Sequence, residues 1–96
     1  MRPSEALARH RDEVLAIIAR YPVSNPQIFG SVARGEDVEG SDIDILVETE
    51  TSASYYDLAG LEIELEKLLR VPVGVHTPRE FRAEATARIA ADRRVL

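Results

Sequence analysis

This sequence has no cysteine and no tryptophan, only five aromatic residues and two histidines. Without cysteine there is neither a disulfide nor a thiolate metal site. No apolar stretch approaches the roughly 18 residues that a membrane span needs. The first residues, "MRPSEALARHRDEV", are charged throughout, unlike a secretory signal. Lysine and arginine are missing from residues 36–66, a segment that carries eleven acids. That argues against free binding to nucleic acid, which depends on a basic footprint. It favours divalent cations, although most of these acids read as a solvated face. Neither a membrane nor free nucleic acid is an expected partner.

What is present is ordinary for a folded chain. The 96 residues are 45% hydrophobic and 30% charged, with a net charge of −5. Such a length implies one domain over residues 1–96, burying roughly 60–65% of its unfolded surface around one modest core. A cytoplasmic location is the simplest expectation.

Periodicity and punctuation give the order of elements. A first helix capped by Ser4 is expected to carry Leu7, Val14, Ile17, Ile18 and Tyr21 on one face, closed by Pro22 and Pro26. "QIF" reads as a short strand running into Gly30-Ser31. Val32 to Arg34 form one helical turn stopped by Gly35, and "EDVEG" is loop. "DIDILVE" is a strand by alternation and β-branched content. Ser54 and Asp57 form a capping box for a long helix with an apolar stripe of Leu58, Leu61, Leu65 and Leu68. "VPVGV" is a third strand, placed at a sheet edge by Pro72. "TPRE" is a second capping box, opening a last helix with Phe81, Ala85 and Ile89. The order α-β-α-β-α-β-α implies an α/β or α+β layer with helices over a small sheet.

The stretch "GSVARGEDVEGSDIDILVE", Gly30 to Glu48, carries the chemistry. In a strand, Asp42 and Asp44 share one face roughly 6.6 Å apart, while Ile43, Ile45 and Val47 fill the other. Paired carboxylates repel unless a cation lies between them. Carboxylate oxygens suit magnesium, which completes its shell with waters and substrate phosphates. Gly30 lets the chain turn tightly, and Ser31 begins a helical turn whose free N–H groups and hydroxyl can receive a phosphate. Arg34 lies one turn on and could reach the same anion. Taken singly these are a turn, a strand start and an exposed helix end. Together, in this order and spacing, they describe a site for a metal–nucleotide complex.

Gly-Ser, ten residues, then Asp-x-Asp resembles the signature of the polymerase β-like nucleotidyltransferases. The fuller "FGSVARGE…SDIDILVE" is similar to the minimal nucleotidyltransferase (MNT) type. The resemblance extends over nearly the whole chain. It implies a mixed β-sheet with flanking helices, and Mg²⁺-dependent transfer of a nucleoside monophosphate from an NTP, ATP being the expected donor. By the same resemblance, Gly30 and Ser31 hold phosphate, while Asp42 and Asp44 are catalytic and hold two Mg²⁺ ions once nucleotide is bound. Small members are often encoded beside a HEPN-domain ribonuclease toxin, and act as antitoxins by adding AMP to it or by binding it.

The chain departs from this pattern at one place. The family usually carries a third carboxylate on the third strand, which ligates the catalytic metal and takes the proton from the attacking hydroxyl. Here Gly74 stands in its position, in "Val73-Gly74-Val75-His76-Thr77-Pro78". A missing base costs typically 10²–10⁴ in rate. His76 is a candidate substitute base, although it lies roughly 7 Å further along the strand. Glu48 lies roughly 13 Å beyond Asp44. An aspartate at Gly74 is expected to fit, given an ordinary strand backbone.

The expected function is transfer of AMP from ATP to a protein partner, as the antitoxin of a toxin–antitoxin pair. The rival is a weak or inactive domain that neutralises a HEPN-type toxin by binding alone, and Gly74 separates the two. A tailoring enzyme for a small molecule or an RNA end is a third reading, disfavoured by the acidic middle and the lack of an acceptor domain. The acceptor is expected to dock from outside, with Tyr56, Gly60 and Ile63 as a minor apolar stripe. Self-association stays open.

Overall fold

The computed structural model describes residues 1–96. Two short helices, α1 (Pro3–Arg9) and α2 (Arg11–Ile18), lead into strand β1 (Val23–Phe29). A five-residue helix, α3 (Gly30–Arg34), follows without a break, and β2 (Ile43–Thr49) comes after a loop. Helix α4 (Tyr55–Leu69), strand β3 (Val73–His76), a 3₁₀ turn (Pro78–Glu80), helix α5 (Ala83–Asp92) and strand β4 (Arg94–Val95) complete the chain. The four strands form one sheet in the order β3-β2-β1-β4. β1 is antiparallel to both β2 and β4, and β2 is parallel to β3, so the sheet is mixed.

Alternation along β2 sets the register. Ile43, Ile45 and Val47 are at most 1% exposed. They pack with Val14 and Ile18 of α2, Leu61, Leu65 and Leu69 of α4, and Val73 and Val75 of β3 in one core. Each such side chain contributes about 1.5–3 kcal/mol on burial, and a one-residue slip would turn the whole set outward. The same alternation sends Asp44 to the opposite face. Helix α4 starts as its capping box dictates: the Ser54 hydroxyl accepts the Asp57 N–H, and the Asp57 carboxylate accepts the Ser54 N–H at 2.9 Å.

β3 is an edge strand, as Pro72 indicates, and α4 covers its open side. The Glu66 carboxylate accepts the Val73 N–H at 3.1 Å, and Glu62, one turn earlier, accepts that of Val75 at 2.7 Å. Two outward N–H groups that would template a further strand are thereby occupied.

Several local expectations are corrected. The first helix is two helices broken at His10. Ser4 does not cap it; Arg2 occupies that position, with the Glu5 carboxylate accepting its N–H at 2.8 Å. Pro26 does not close a helix but lies inside β1, beside an irregularity between Ser24 and Gln27 where Asn25 takes φ 50°. The Thr77 box caps only the 3₁₀ turn. The chain leaves it at Phe81, and α5 begins at Ala83. The two-residue strand β4 was not anticipated.

Candidate active site

Asp44 is the centre of the site because three elements meet on its side chain. Strand register sets it opposite Phe29 of β1 and Gly74 of β3. A Cβ built on Gly30 would lie 2.9 Å from Asp44 Oδ2. Gly30 has φ +74°, so it supplies both the left-handed turn out of β1 and the room for this carboxylate. Asp44 Oδ1 faces the other way, 3.5 Å from His76 Nε2. One carboxylate therefore spans the gap between the Gly30–Ser31 turn and the third strand.

Asp42 lies one residue before β2 and is exposed, whereas Asp44 is half-buried. The strand expected to carry both aspartates thus carries one, and leaves the other at its mouth. Ser31 is half-buried in the first turn of α3. Arg34 does not lie open to an anion. Its guanidinium donates to Glu36 and to Asp92 of α5, each at 2.6 Å, and these contacts raise its pKa. A phosphate would have to draw Arg34 away from two carboxylates.

The third-strand position is filled. A Cβ on Gly74 would meet His76 Nε2 at 2.7 Å and Asp44 Oδ1 at 3.5 Å. Although His76 starts two residues further along, its side chain folds back over Gly74. Spacing measured along the strand overlooks that reach. Nδ1 is 3.0 Å from Glu80 Oε2. The ring stands edge-on to Phe29, at 5.5 Å between centroids, and 5.6 Å from Phe81. The contact with Asp44 raises the imidazole pKa to about 9; burial opposes this and Glu80 reinforces it.

No three histidine or carboxylate side chains are already gathered closely enough to hold a metal ion by themselves. Two carboxylates, Asp42 and Asp44, near the Gly30–Ser31 turn offer the oxygen donors of a cation that completes its shell with other oxygens and water. The fit is that of a shared site, completed by nucleotide.

Two further features sequence reasoning missed or misplaced. Asp37, in the loop after α3, is 2% exposed, and its Oδ2 accepts the Ser4 N–H at 2.8 Å. Burial pushes its pKa up, but the bonds from Ser4 outweigh this and hold it below the usual range. It ties the start of α1 to the loop that leads to Asp42. No periodicity marks it, because it lies in a loop among other acids. Gly60 does not extend an outward stripe with Tyr56 and Ile63: a Cβ there would meet the Tyr21 ring at 3.5 Å. Tyr56 and Ile63 are exposed, at 85% and 53%. Beside His76 a cavity of about 390 Å³ opens between β3 and the first turns of α4, lined by Tyr55, Leu58, Glu62 and Glu80 among others. A cavity of about 480 Å³ involves Met1, Arg9, His10 and Arg70, none of them a residue of this site.

The Nucleotidyltransferase domain family matches residues 10–96. A Methanocaldococcus jannaschii protein named as a candidate protein adenylyltransferase, MJ0435, is 45% identical over 65 residues, covering 68% of this chain and 70% of its own. Protein adenylyltransferase MntA of Thermococcus cleftensis is 40% identical over 67 residues, covering 70% of this chain and 65% of its own. The solved structure of a candidate minimal nucleotidyltransferase superposes with a TM-score of 0.84 at 35% identity, over 97% of this chain and 95% of that one. A toxin–antitoxin complex solved with AMP-PNP shares the fold, at a TM-score of 0.75 and 17% identity over 88% of this chain and 69% of that one. No helix here is long and apolar enough to cross a membrane. The chain belongs to the nucleotidyltransferase domain family, in its minimal form.

Proposed function

We propose that this protein transfers AMP from ATP to a hydroxyl group of a partner protein, as the antitoxin of a HEPN-type toxin. The observation that carries this reading is Asp44, whose two oxygens face the Gly30 turn on one side and the third strand on the other. Relatives named as protein adenylyltransferases support the reaction class, and a fold neighbour solved as a toxin–antitoxin complex with AMP-PNP supports the setting.

In this reading Gly30 and Ser31 receive the triphosphate through the free N–H groups of α3 and the Ser31 hydroxyl. Asp42 and Asp44 hold Mg²⁺, or a divalent ion like it. When bound, the cation neutralises the triphosphate and the departing pyrophosphate. The acceptor hydroxyl gives up its proton to solvent as its oxygen attacks the α-phosphorus, the bond from that phosphorus to the bridging oxygen breaks, and pyrophosphate leaves. The acceptor enters from the side of β3, where the cavity beside His76 opens. The polypeptide needs only to position these groups and supply charge, so a small domain is enough.

A second reading is favoured by one specific observation. The third carboxylate's place is taken by an imidazole already engaged by Asp44 and Glu80, so no third carboxylate is there to accept the proton of an attacking hydroxyl. A domain built in this way could bind nucleotide and toxin while transferring slowly or not at all. One experiment separates the readings. The protein is co-expressed with the product of its neighbouring gene, the complex is purified and given ATP with Mg²⁺, and the partner's intact mass is measured. Gain of one or more AMP units supports transfer. A stable complex without mass gain supports neutralisation by binding, and no complex removes the antitoxin reading.

A further inference from the structure

The imidazole over Gly74 is held in an arrangement with a chemical meaning of its own. Glu80 bonds Nδ1 at 3.0 Å, which leaves Nε2 directed at Asp44 Oδ1, 3.5 Å away. Two ligands about 2.1 Å from one ion, at tetrahedral to octahedral angles, are about 3.0–3.4 Å apart, so Nε2 and Oδ1 need to move only slightly to share a cation. A carboxylate that orients a histidine through its other nitrogen is the usual outer partner of a metal-bound imidazole. Glu80 is fixed in turn, since its other oxygen accepts the Thr77 N–H at 3.2 Å. Phe29 and Phe81 hold the ring from the sides. Gly74 gives the ring room, because any side chain there would begin inside it.

We infer that His76, oriented by Glu80, is a metal ligand in the place of the absent third carboxylate, and that it tilts the site from Mg²⁺ toward divalent transition metals. The inference rests on the reading that Asp42 and Asp44 hold a divalent cation, and it adds a nitrogen to that oxygen set. Magnesium takes oxygen ligands and dehydrates reluctantly. Imidazole suits transition metals such as zinc, iron and nickel, with manganese lowest in that order of affinity, and a nitrogen donor therefore favours them over magnesium. Asp44 is the shared group, Asp42 lies two residues before it at the mouth of β2, and phosphate and water would complete the shell.

The test uses Mn²⁺ as probe, with a non-hydrolysable ATP analogue, on wild type, His76→Ala, Glu80→Gln and Asp44→Asn. Pulsed electron paramagnetic resonance of bound Mn²⁺ reads nitrogen ligation, and calorimetry reads the affinities for Mn²⁺ and Mg²⁺. Wild type is expected to show ¹⁴N modulation from a coordinated imidazole, and His76→Ala to lose it. Both His76→Ala and Glu80→Gln should weaken Mn²⁺ by about tenfold or more, with Mg²⁺ changed much less. Glu80→Gln keeps the carbonyl that caps the 3₁₀ turn, so its effect does not depend on unfolding. The other histidine, His10, lies at the α1–α2 junction beside Glu13 and serves as an internal blank. Mn²⁺ binding that needs Asp44 but shows no nitrogen signal, and is the same in His76→Ala, overturns the inference and leaves the aspartate site standing. Mn²⁺ binding that survives Asp44→Asn unchanged overturns the aspartate site and this inference with it.

Discussion

Placing a methyl group on Gly74 asks directly whether His76 holds the position of the third carboxylate. Strand glycines without a positive φ normally gain from replacement by alanine, by about 0.4–1 kcal/mol, because the unfolded chain loses freedom. Here the new Cβ would be 2.7 Å from His76 Nε2, so the ring must retreat by several tenths of an ångström. Its retreat is opposed by the bond to Glu80 and by the Phe29 and Phe81 rings. Overpacking of this kind costs about 1–3 kcal/mol. Gly74→Ala should therefore destabilise the native background and stabilise the His76→Ala background, a coupling of about 1–3 kcal/mol. Denaturant midpoints at equal slope measure it, and each kcal/mol corresponds to about 4–8 °C in Tm for a chain of this size. Additive effects in the two backgrounds would refute the overlap, and with it the placement of His76 over Gly74. By the same overlap, an aspartate at Gly74 would have to displace the His76 ring. Gly74→Asp should need His76→Ala beside it before a third carboxylate can be seated.

Gly30→Ala should lower stability and weaken binding of the metal–nucleotide complex together, because φ +74° and a 2.9 Å approach to Asp44 Oδ2 both act against a side chain; thermal shifts with and without ATP check this. Asp37→Ala should cost about 1.5–3 kcal/mol in chemical denaturation, the value of a charge-assisted bond to the Ser4 N–H. The folded pKa of Asp37 is depressed, so its contribution is present above an unfolded value of about 3.9 and is lost as pH falls through the lower folded one. Asp37→Ala should accordingly flatten the acid limb of stability against pH. Replacing Glu62 and Glu66 together by alanine should speed amide exchange at Val73 and Val75 and promote association through β3, read by exchange mass spectrometry and light scattering.

The legible parts of the fold were those where local chemistry and tertiary packing agree. Ser54 with Asp57 opens α4 because both backbone groups find their partners within four residues. The alternation from Asp42 to Glu48 set the inward and outward faces of β2, and Pro72 marked the edge strand. The elements that escaped depend on partners distant in sequence. Pro26 sits within β1 at an irregularity where the strand can omit one donor, and its carbonyl accepts the Leu96 N–H at 3.2 Å. A two-residue strand such as β4 has no period of its own; it exists because β1 offers it an edge. In the site, the pairing of Gly74 with Asp44 followed from the motif, but the fold-back of His76 did not. Strand arithmetic places Cα atoms, whereas the reach of an imidazole and the pull of Asp44 and Glu80 decide where the ring rests.

Transfer of an AMP unit is the centre of this account, and the position of the label in ATP tests it most directly. The purified complex of this protein with its neighbouring gene product is given ATP labelled at the α-phosphate, or in parallel at the γ-phosphate, with Mg²⁺ and then with Mn²⁺. Attack at the α-phosphorus predicts that α-label becomes covalently attached to the partner, that γ-label leaves as pyrophosphate, and that Asp44→Asn abolishes both. Attachment of γ-label, or α-label transfer undiminished in Asp44→Asn, would contradict a nucleotidyltransferase working through this carboxylate.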